Sequence, residues 1–510
     1  MTKNGTKASE PTIEKSVEEK ACQIDKEIPE PKEMKSVATL IVEAVLDETG
    51  DSVELWHTSE GGCYMSIRLK DGHSEHRSMK SKSTKQWLAG LFYTKTNKVA
   101  NSSAISSALT VLEGFATAGP LYSTYIRVAE GQDAIYIDLG DDTWEAIRVT
   151  KEGWDIIKNP PVKFQRHKGL LALPHPKKGG SIDDLRSILN IGKDDSWLLV
   201  KGWLIGTLSP NGPYAILAIA GEQGSAKTWL EKILRTIIDP NELPVRTSPK
   251  SIVDLMIAAN NSWVVTYDNL SKITPKVSDN LCQLATGGGM SKRELWTDTD
   301  ETIIHVCRPI ILNGIEDVVT RQDLLDRSIY ISMPRIPDEM RRPEKDLMKQ
   351  FKKIHPKILG ALLDAAVIGL QKKDTIKVKG LPRMADFTKW AMAALGEEGT
   401  KFLAAYKDNK DHAVTDSLDG DPTVTSLMGF LELKKGEWSG TATELLRLLN
   451  TMTGYDVRRP PTGWAHAPNT LSGILRRLAP ALRKIGIEVE FSRDERISSR
   501  VISIARVQVS

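Results

Sequence analysis

Lys227 and Thr228 close the run GEQGSAKT, and these two residue types in this order point to phosphate and magnesium chemistry. A lysine that follows a glycine-rich loop reaches the β- and γ-phosphates of a nucleotide, and the hydroxyl beside it ligates Mg²⁺. The loop backbone must come close to the phosphates, so Gly221 and Gly224 have a physical reason to be glycine. Glu222, Gln223, Ser225 and Ala226 complete the loop. Ala226 stands where the phosphate-loop pattern usually has glycine. It reads as the residue that begins the following helix, where alanine is a good helix former. The competing reading is an ordinary Gly-rich turn before a helix.

Chemistry of this kind needs strands that end at one place. YAILAIA, ahead of the loop, is an apolar run of strand length, and WLEKILRTII after it has helical spacing. NSWVVTYDNLS puts Asp268 at the end of a β-branched run. After a phosphate loop, an acid there holds Mg²⁺, usually through water. RPIILNGI ends a further strand near Asn313, a residue type that positions the attacking water in P-loop ATPases. DLLDRSIYISM supplies Arg327, suited to the γ-phosphate of a neighbouring subunit's ATP. Arg321 is the runner-up, and either arginine has an ion pair with Asp323 or Asp326 as its alternative.

The order of phosphate loop, strand-terminal acid, G-rich basic segment (LATGGGMSKRELW), strand-terminal asparagine and arginine resembles superfamily 3 helicases of the AAA+ class. It is closest to the ATPase half of phage and mobile-element primase–helicases. The runs GEQGSAKT, DNLS, LATGGG, RPIILNGI, RQDLLDRS and LPRMADF look like those of a family of prophage-associated bacterial ATP-binding proteins. The resemblance is most specific from residue 181 to 390. It implies an α/β P-loop NTPase core with a helical lid, ATP and Mg²⁺ as cofactors, and a homo-oligomer, a hexamer by analogy. It also implies single-stranded DNA in a central pore, with Lys292 and Arg293 on the pore hairpin. Arg383, in LPRMADF, becomes a second nucleotide sensor, with a capping or ion-pair role as the alternative.

Two positions depart from the family pattern. Asn269 follows Asp268 where such helicases carry an acid, and an amide orients water without taking its proton. Glu222 is the candidate to replace that acid. The hairpin tip from Trp296 to Glu301 is acidic, which repels phosphate. The favoured reading is an ATP-dependent DNA helicase or helicase loader in replication of a phage or integrated mobile element. The second is a nucleotide-switched DNA-binding or scaffold protein with slow hydrolysis. A third, a fused primase, would need clustered metal-binding acids. Asp138, Asp141 and Asp142 are near one another, but a hairpin turn with solvated acids accounts for them better.

The 510 residues suffice for about three domains, and 40% hydrophobic with 26% charged residues is a globular composition. A formal net charge of +3 leaves any basic surface local. Four cysteines without a C-x-x-C pair suggest neither a zinc ribbon nor a disulfide framework, and fit a reducing cytoplasm. No signal-peptide pattern or membrane-spanning run is read. The divisions are a tail (1–37), an α+β domain (38–160), a basic Pro/Gly linker or strap (161–180), the ATPase core (181–334), a helical lid (335–412), a linker (413–424) and a winged-helix-like domain (425–510). In the basic strap, Lys163, Arg166, Lys168, Lys177 and Lys178 face either phosphates or solvent. Basic charge concentrates in the last domain, with Arg476 and Arg477 on or near its recognition helix and Arg493 in its wing. That domain engages duplex DNA or, alternatively, a protein.

Overall fold

The computed structural model describes residues 35–270, 273–288, 290–293, 301–304, 306–314, 321–419, 421–455, 464–494 and 499–507, with backbone only at 290–293, 301–304, 416, 417, 419, 494 and 499. The chain forms two compact units.

The smaller unit takes in residues up to 56, 63–65 and 77–120. Its helices are α1 (Val37–Leu46), α2 (Lys82–Thr96) and α3 (Ser102–Ala118). Each opens on a side-chain cap, with Ser36, Ser81 and Asn101 accepting a backbone N–H of the first turn. Ile41, Val45, Leu88, Phe92 and Leu112 are buried among them. Strands β1 (Val53–His57), β2 (Cys63–Arg68) and β3 (Ser74–Ser78) form one sheet in that order.

The larger unit runs from Leu121 onward and also takes in 57–62 and 66–76. The strands between 121 and 160, grouped in the sequence with residues 38–160, therefore pack here instead. β4 (Thr124–Tyr125) pairs with β9 (Lys163–Phe164). β5 (Val128–Glu130), β6 (Ile135–Asp138), β7 (Ala146–Val149) and β8 (Trp154–Ile157) form an antiparallel meander.

At the centre is a four-stranded parallel sheet. After α4 (Asp194–Gly206) come β10 (Ile216–Gly221), α5 (Lys227–Ile238), α6 (Ile252–Asn261), β11 (Val265–Leu270), α7 (Pro275–Thr286), the hairpin β12 (Met290–Arg293) and β13 (Glu301–Ile304), β14 (Ile310–Gly314), α8 (Gln322–Leu325) and β15 (Ser328–Met333). The sheet order is β11-β14-β10-β15, every neighbour parallel. Parallel strands covered on both faces read as continuous apolar runs, and Ile216 to Ala220 are all buried. Helices α9 (Glu344–Lys372), α10 (Ala385–Leu395) and α11 (Gly399–Asp419) follow. The stretch Glu344–Thr375 is long and apolar enough to cross a membrane, contrary to the sequence reading. Its apolar side, with Phe351, Ile358, Leu359, Leu362 and Leu363, is packed in the same core as α4 and α5.

Residues 161–180 form an ordered strap. Val162, Phe164 and Leu173 are buried, and the Lys177 N–H donates to the Pro356 carbonyl at 2.8 Å. Where strap and α9 cross, both backbones lack a β-carbon. One on Gly180 would strike the Lys357 carbonyl, and one on Gly360 the Lys177 carbonyl. A buried arginine makes a second tie. Arg127 gives Nε to Asp239 Oδ1 at 3.3 Å and its Nη atoms to the carbonyls of Asp138 and Leu171. Asp239, at the end of α5, also accepts the N–H groups of Trp263 and Val264.

The last segment is α12 (Pro422–Leu433), β16 (Glu437–Thr441), α13 (Ala442–Thr453), α14 (Pro468–Lys484), β17 (Ile487–Asp494) and β18 (Ser499–Arg506). The strand order β16-β18-β17 makes a hairpin with β16 added to its second strand. Leu445, Leu449, Leu471, Leu475, Ile487 and Ile504 lie in its core.

Candidate nucleotide site

Parallel strands place their carboxyl ends along one edge, where ligands of such sheets bind. Ile219 of β10 pairs with Asn313, Gly221 with Met333, and Tyr267 of β11 with Leu312, so the loop after β10, Asp268 and Asn313 share that edge. Gly221 has φ 153, and a β-carbon there would lie 2.6 Å from the Met333 carbonyl oxygen. Ser225 is buried and donates its hydroxyl to the Glu222 carbonyl at 2.9 Å, closing the turn.

Ala226 corrects the sequence reading. It has φ 65 and ψ 33, the left-handed conformation, and the helix begins one residue later at Lys227. The β-carbon meets a carbonyl oxygen in that conformation, at a cost of roughly 1–2 kcal/mol. Its helix propensity is therefore not the reason it is tolerated.

The Lys227 ammonium folds back on the loop, donating to the carbonyls of Gly221 at 2.7 Å and Glu222 at 2.9 Å. Burial holds its pKa below the usual range, against the opposite pull of Asp268. Thr228 donates its hydroxyl to the Asp268 carboxylate, 3.2 Å from Oδ1 and 3.0 Å from Oδ2. Asn313, 1% exposed, donates Nδ2 to Asp268 Oδ1 at 2.7 Å and to Glu231 Oε2 at 3.1 Å. The hydroxyl and the carboxylate are hard oxygen donors of the kind Mg²⁺ takes. Thr228 and Asp268 are the residues that would hold such an ion, and its charge would offset that of phosphate oxygens.

Glu231 is absent from the sequence reading. It lies one turn beyond Lys227, is fully buried, and burial pushes its pKa up to about 8. The available signal was a lone acid among Leu230, Ile233 and Leu234 on an otherwise apolar helix face.

Asn269 does not join this network. It is exposed, with φ 55, at a register shift between Tyr267 and Leu270. Glu222 and Gln223 are exposed on the loop. Beside the loop is a cavity of about 610 Å³ rimmed by Gly224 and Ala226, with apolar walls from Ile188, Leu189, Trp229, Ile336, Met340 and Leu347. Asn190 pins its floor, donating to the carbonyls of Ser225 and Pro334.

The arginines lie elsewhere. Ser328 pairs with Ile216 at the start of β10, so Arg327 sits at the edge opposite the loop. Its side chain is 12% exposed and held by Asp323, with Nη1 2.5 Å from Oδ1. Arg383, expected at the nucleotide, pairs instead with Asp323 at 3.0 Å, which is the ion-pair alternative. Lys410 joins through Asp326 at 3.0 Å, and Arg321 pairs with Asp279 at 3.1 Å.

Lys292 and Arg293 are on β12, opposite Thr302 and Glu301 of β13. Their side chains, and the acidic tip between the two strands, lie outside the described residues. In the last segment, Arg477 and Arg493 are exposed, and the Arg476 guanidinium lies 4.2 Å over the Phe491 ring. Arg493 faces Arg500 across the hairpin.

Of the acids weighed for a primase, Asp142 is exposed, and Asp141 lies close enough to Glu145 and His175 for the three to share an ion. Asp138 is buried and takes both Nε and Nη2 of Arg166. Asp141 accepts Glu145 N and the Thr143 hydroxyl in a turn. Arg166 is thereby removed from the possible phosphate contacts.

Two family models match the sequence. Residues 182–417 match the actinomycete integrative conjugative element replication protein, and residues 423–510 match the C-terminal domain of the RepA protein of those elements. The chain is a replication protein of a mobile element. The family it matches, along most of its length beyond Ile182, is that of the actinomycete integrative conjugative element replication protein RepA. No curated protein sequence matches the chain. Among solved structures, the A form apo structure of the NrS-1 C-terminal region is similar with a TM-score of 0.41 at 14% identity, covering 92% of this chain and 100% of that one. Another apo structure of that region gives 0.40 at 13% identity, covering 93% and 100%.

Proposed function

We propose that this replication protein is a P-loop ATPase of the superfamily 3 helicase type, which binds ATP–Mg²⁺ on residues 221–228 and couples its hydrolysis to DNA. The observation that carries this reading is the contact of Thr228 with Asp268, and of Asp268 with Asn313, at the carboxyl edge of a parallel sheet directly behind Lys227. On nucleotide binding, Lys227 exchanges the carbonyls of Gly221 and Glu222 for phosphate oxygens. The cavity beside Gly224 and Ala226, lined by apolar side chains and by Arg341, Arg342 and Glu344, has the size for a base and sugar. Arg327, remote from this chain's own loop, would act on the site of a neighbouring copy in a ring. The segment from α12 to β18 has the winged-helix order and offers Arg476, Arg477 and Arg493 to duplex DNA.

The test measures ATP turnover with and without single-stranded DNA, then strand displacement on a forked duplex. Wild type should hydrolyse ATP in Mg²⁺, be stimulated by DNA and separate the fork, and Lys227→Ala should abolish all three. Turnover without strand displacement would sink the helicase claim alone.

One observation favours a second reading, a nucleotide-switched DNA-binding protein. The residue after Asp268 is an exposed amide in left-handed conformation, and the nearest buried acid, Glu231, is held by Asn313. DNA affinity that follows ATP occupancy, with turnover unmoved by DNA, would select it.

A further inference from the structure

Asn313 has one amide nitrogen with two hydrogens, and both are committed. One goes to Asp268 and the other to Glu231. The two acceptors differ in access. Glu231 is fully buried on α5, whereas Asp268 is half-buried at the sheet edge and already shares the Thr228 hydroxyl. A ligand can reach Asp268, but it cannot reach Glu231 while the helix stays folded. Asn313 Oδ1 and Glu231 Oε1 have no partner. A carboxyl in this position is costly to bury, and its helix neighbours Leu230, Ile233 and Leu234 show that an apolar side chain suits this environment.

We propose that Glu231 is the fixed anchor of Asn313, and that Asp268 is its release point. When Asp268 turns to a metal–nucleotide complex, the hydrogen it held is freed toward the γ-phosphate or the attacking water. The hydrogen on Glu231 keeps the amide plane in place. Without bound nucleotide the same amide is parked on two carboxylates, so Asn313 reports occupancy only after Asp268 has been taken. Glu231 is thus a positioning residue that acts through Asn313, and its role rests on the nucleotide reading above.

The test uses the full chain with Glu231→Leu and Glu231→Gln. Leucine keeps roughly the volume and removes the acceptor, while glutamine keeps an oxygen for Asn313. Melting, binding of a fluorescent ATP analogue and Mg²⁺-dependent turnover are measured for each. Both variants should melt at or above the wild-type midpoint and bind the analogue within about threefold of wild type. Turnover of Glu231→Leu should fall about tenfold or more, with glutamine restoring most of it. Adding Glu231→Leu to Asn313→Ala should slow that variant no further. If leucine does not fold, Glu231→Met takes its place. Wild-type turnover in the apolar variant, equal losses in both variants, or a loss confined to affinity overturns the proposal. A wild-type protein that neither binds nor hydrolyses ATP overturns the nucleotide reading itself, so the two failures are distinct.

Discussion

Arg127 and Asp239 meet with both side chains out of solvent, 0% and 1% exposed, and Nε lies 3.3 Å from Oδ1. The pair joins the bend just before β5 to the end of α5, and Asp239 also fixes the backbone entering β11. Every Arg127 nitrogen has an acceptor, so the charge is buried only because it is fully engaged.

Breaking that pair from one side should be expensive. Arg127→Ala leaves the Asp239 carboxylate buried without its cation and should destabilise the larger unit by roughly 3–5 kcal/mol. Urea unfolding followed by tryptophan fluorescence reads this, since the buried Trp263 lies beside the pair and gives its backbone N–H to Asp239. A loss under about 1 kcal/mol would mean that water reaches the pair.

Ala226→Gly should stabilise the protein. Glycine takes the left-handed conformation freely, so the strain of about 1–2 kcal/mol is relieved. The gain appears as a higher melting midpoint of the nucleotide-free protein. Ala226→Val, with a branched side chain at the same φ, should lower it. If glycine lowers the midpoint, the left-handed assignment of this residue is wrong.

His355 sets a limit on the acid side. Its ring stacks on Phe351 at 4.7 Å, its Nε2 lies 3.3 Å from the Ile237 carbonyl, and burial lowers its pKa to about 4. The folded state therefore binds fewer protons at this site than the unfolded state, whose histidine titrates near 6.5. Its contribution is present above pH 6.5 and is lost as pH falls through about 4. Melting midpoints between pH 7 and 4 should fall more steeply for wild type than for His355→Phe. Parallel curves would remove this assignment.

Arg327 separates action in cis from action in trans. If it serves a neighbouring copy, Lys227→Ala and Arg327→Ala are each inactive, yet a mixture of the two regains turnover at sites that pair one copy's intact loop with the other's intact arginine. Mixing titrations of the purified variants show this as activity above the sum of the parts. An inactive mixture at every ratio places both defects in one subunit.

The parts of the site that lie on contiguous residues were legible in the sequence. Gly221 to Thr228 carry their own geometry, and Asp268 and Asn313 were readable as polar residues ending apolar runs. Glu231 was not, because its burial depends on what β11 and β14 bring against α5. Ala226 was misread because residue type reports propensity, while the loop dictates φ. Arg383 was left between a nucleotide sensor and an ion pair for a topological reason, and the ion pair is what it forms. Sequence order says that it follows the asparagine strand, but not that it docks on Asp323, at the sheet edge where β15 begins. Composition left 161–180 as a linker or a strap, because the reason it packs is shared with a distant element: Gly180 in the strap and Gly360 on α9 together let the two backbones touch.

That crossing has a consequence for inheritance. The recognised family begins at Ile182, but the larger unit takes in everything from Leu121 onward together with residues 57–62 and 66–76. Gly180 against Lys357, Trp154 bonded to Asp364 and Arg127 on Asp239 all reach from the earlier segment into the matched one. A domain exchanged between such replication proteins at the family boundary would sever these attachments, so the structural module reaches further back along the chain than its sequence signature outlines.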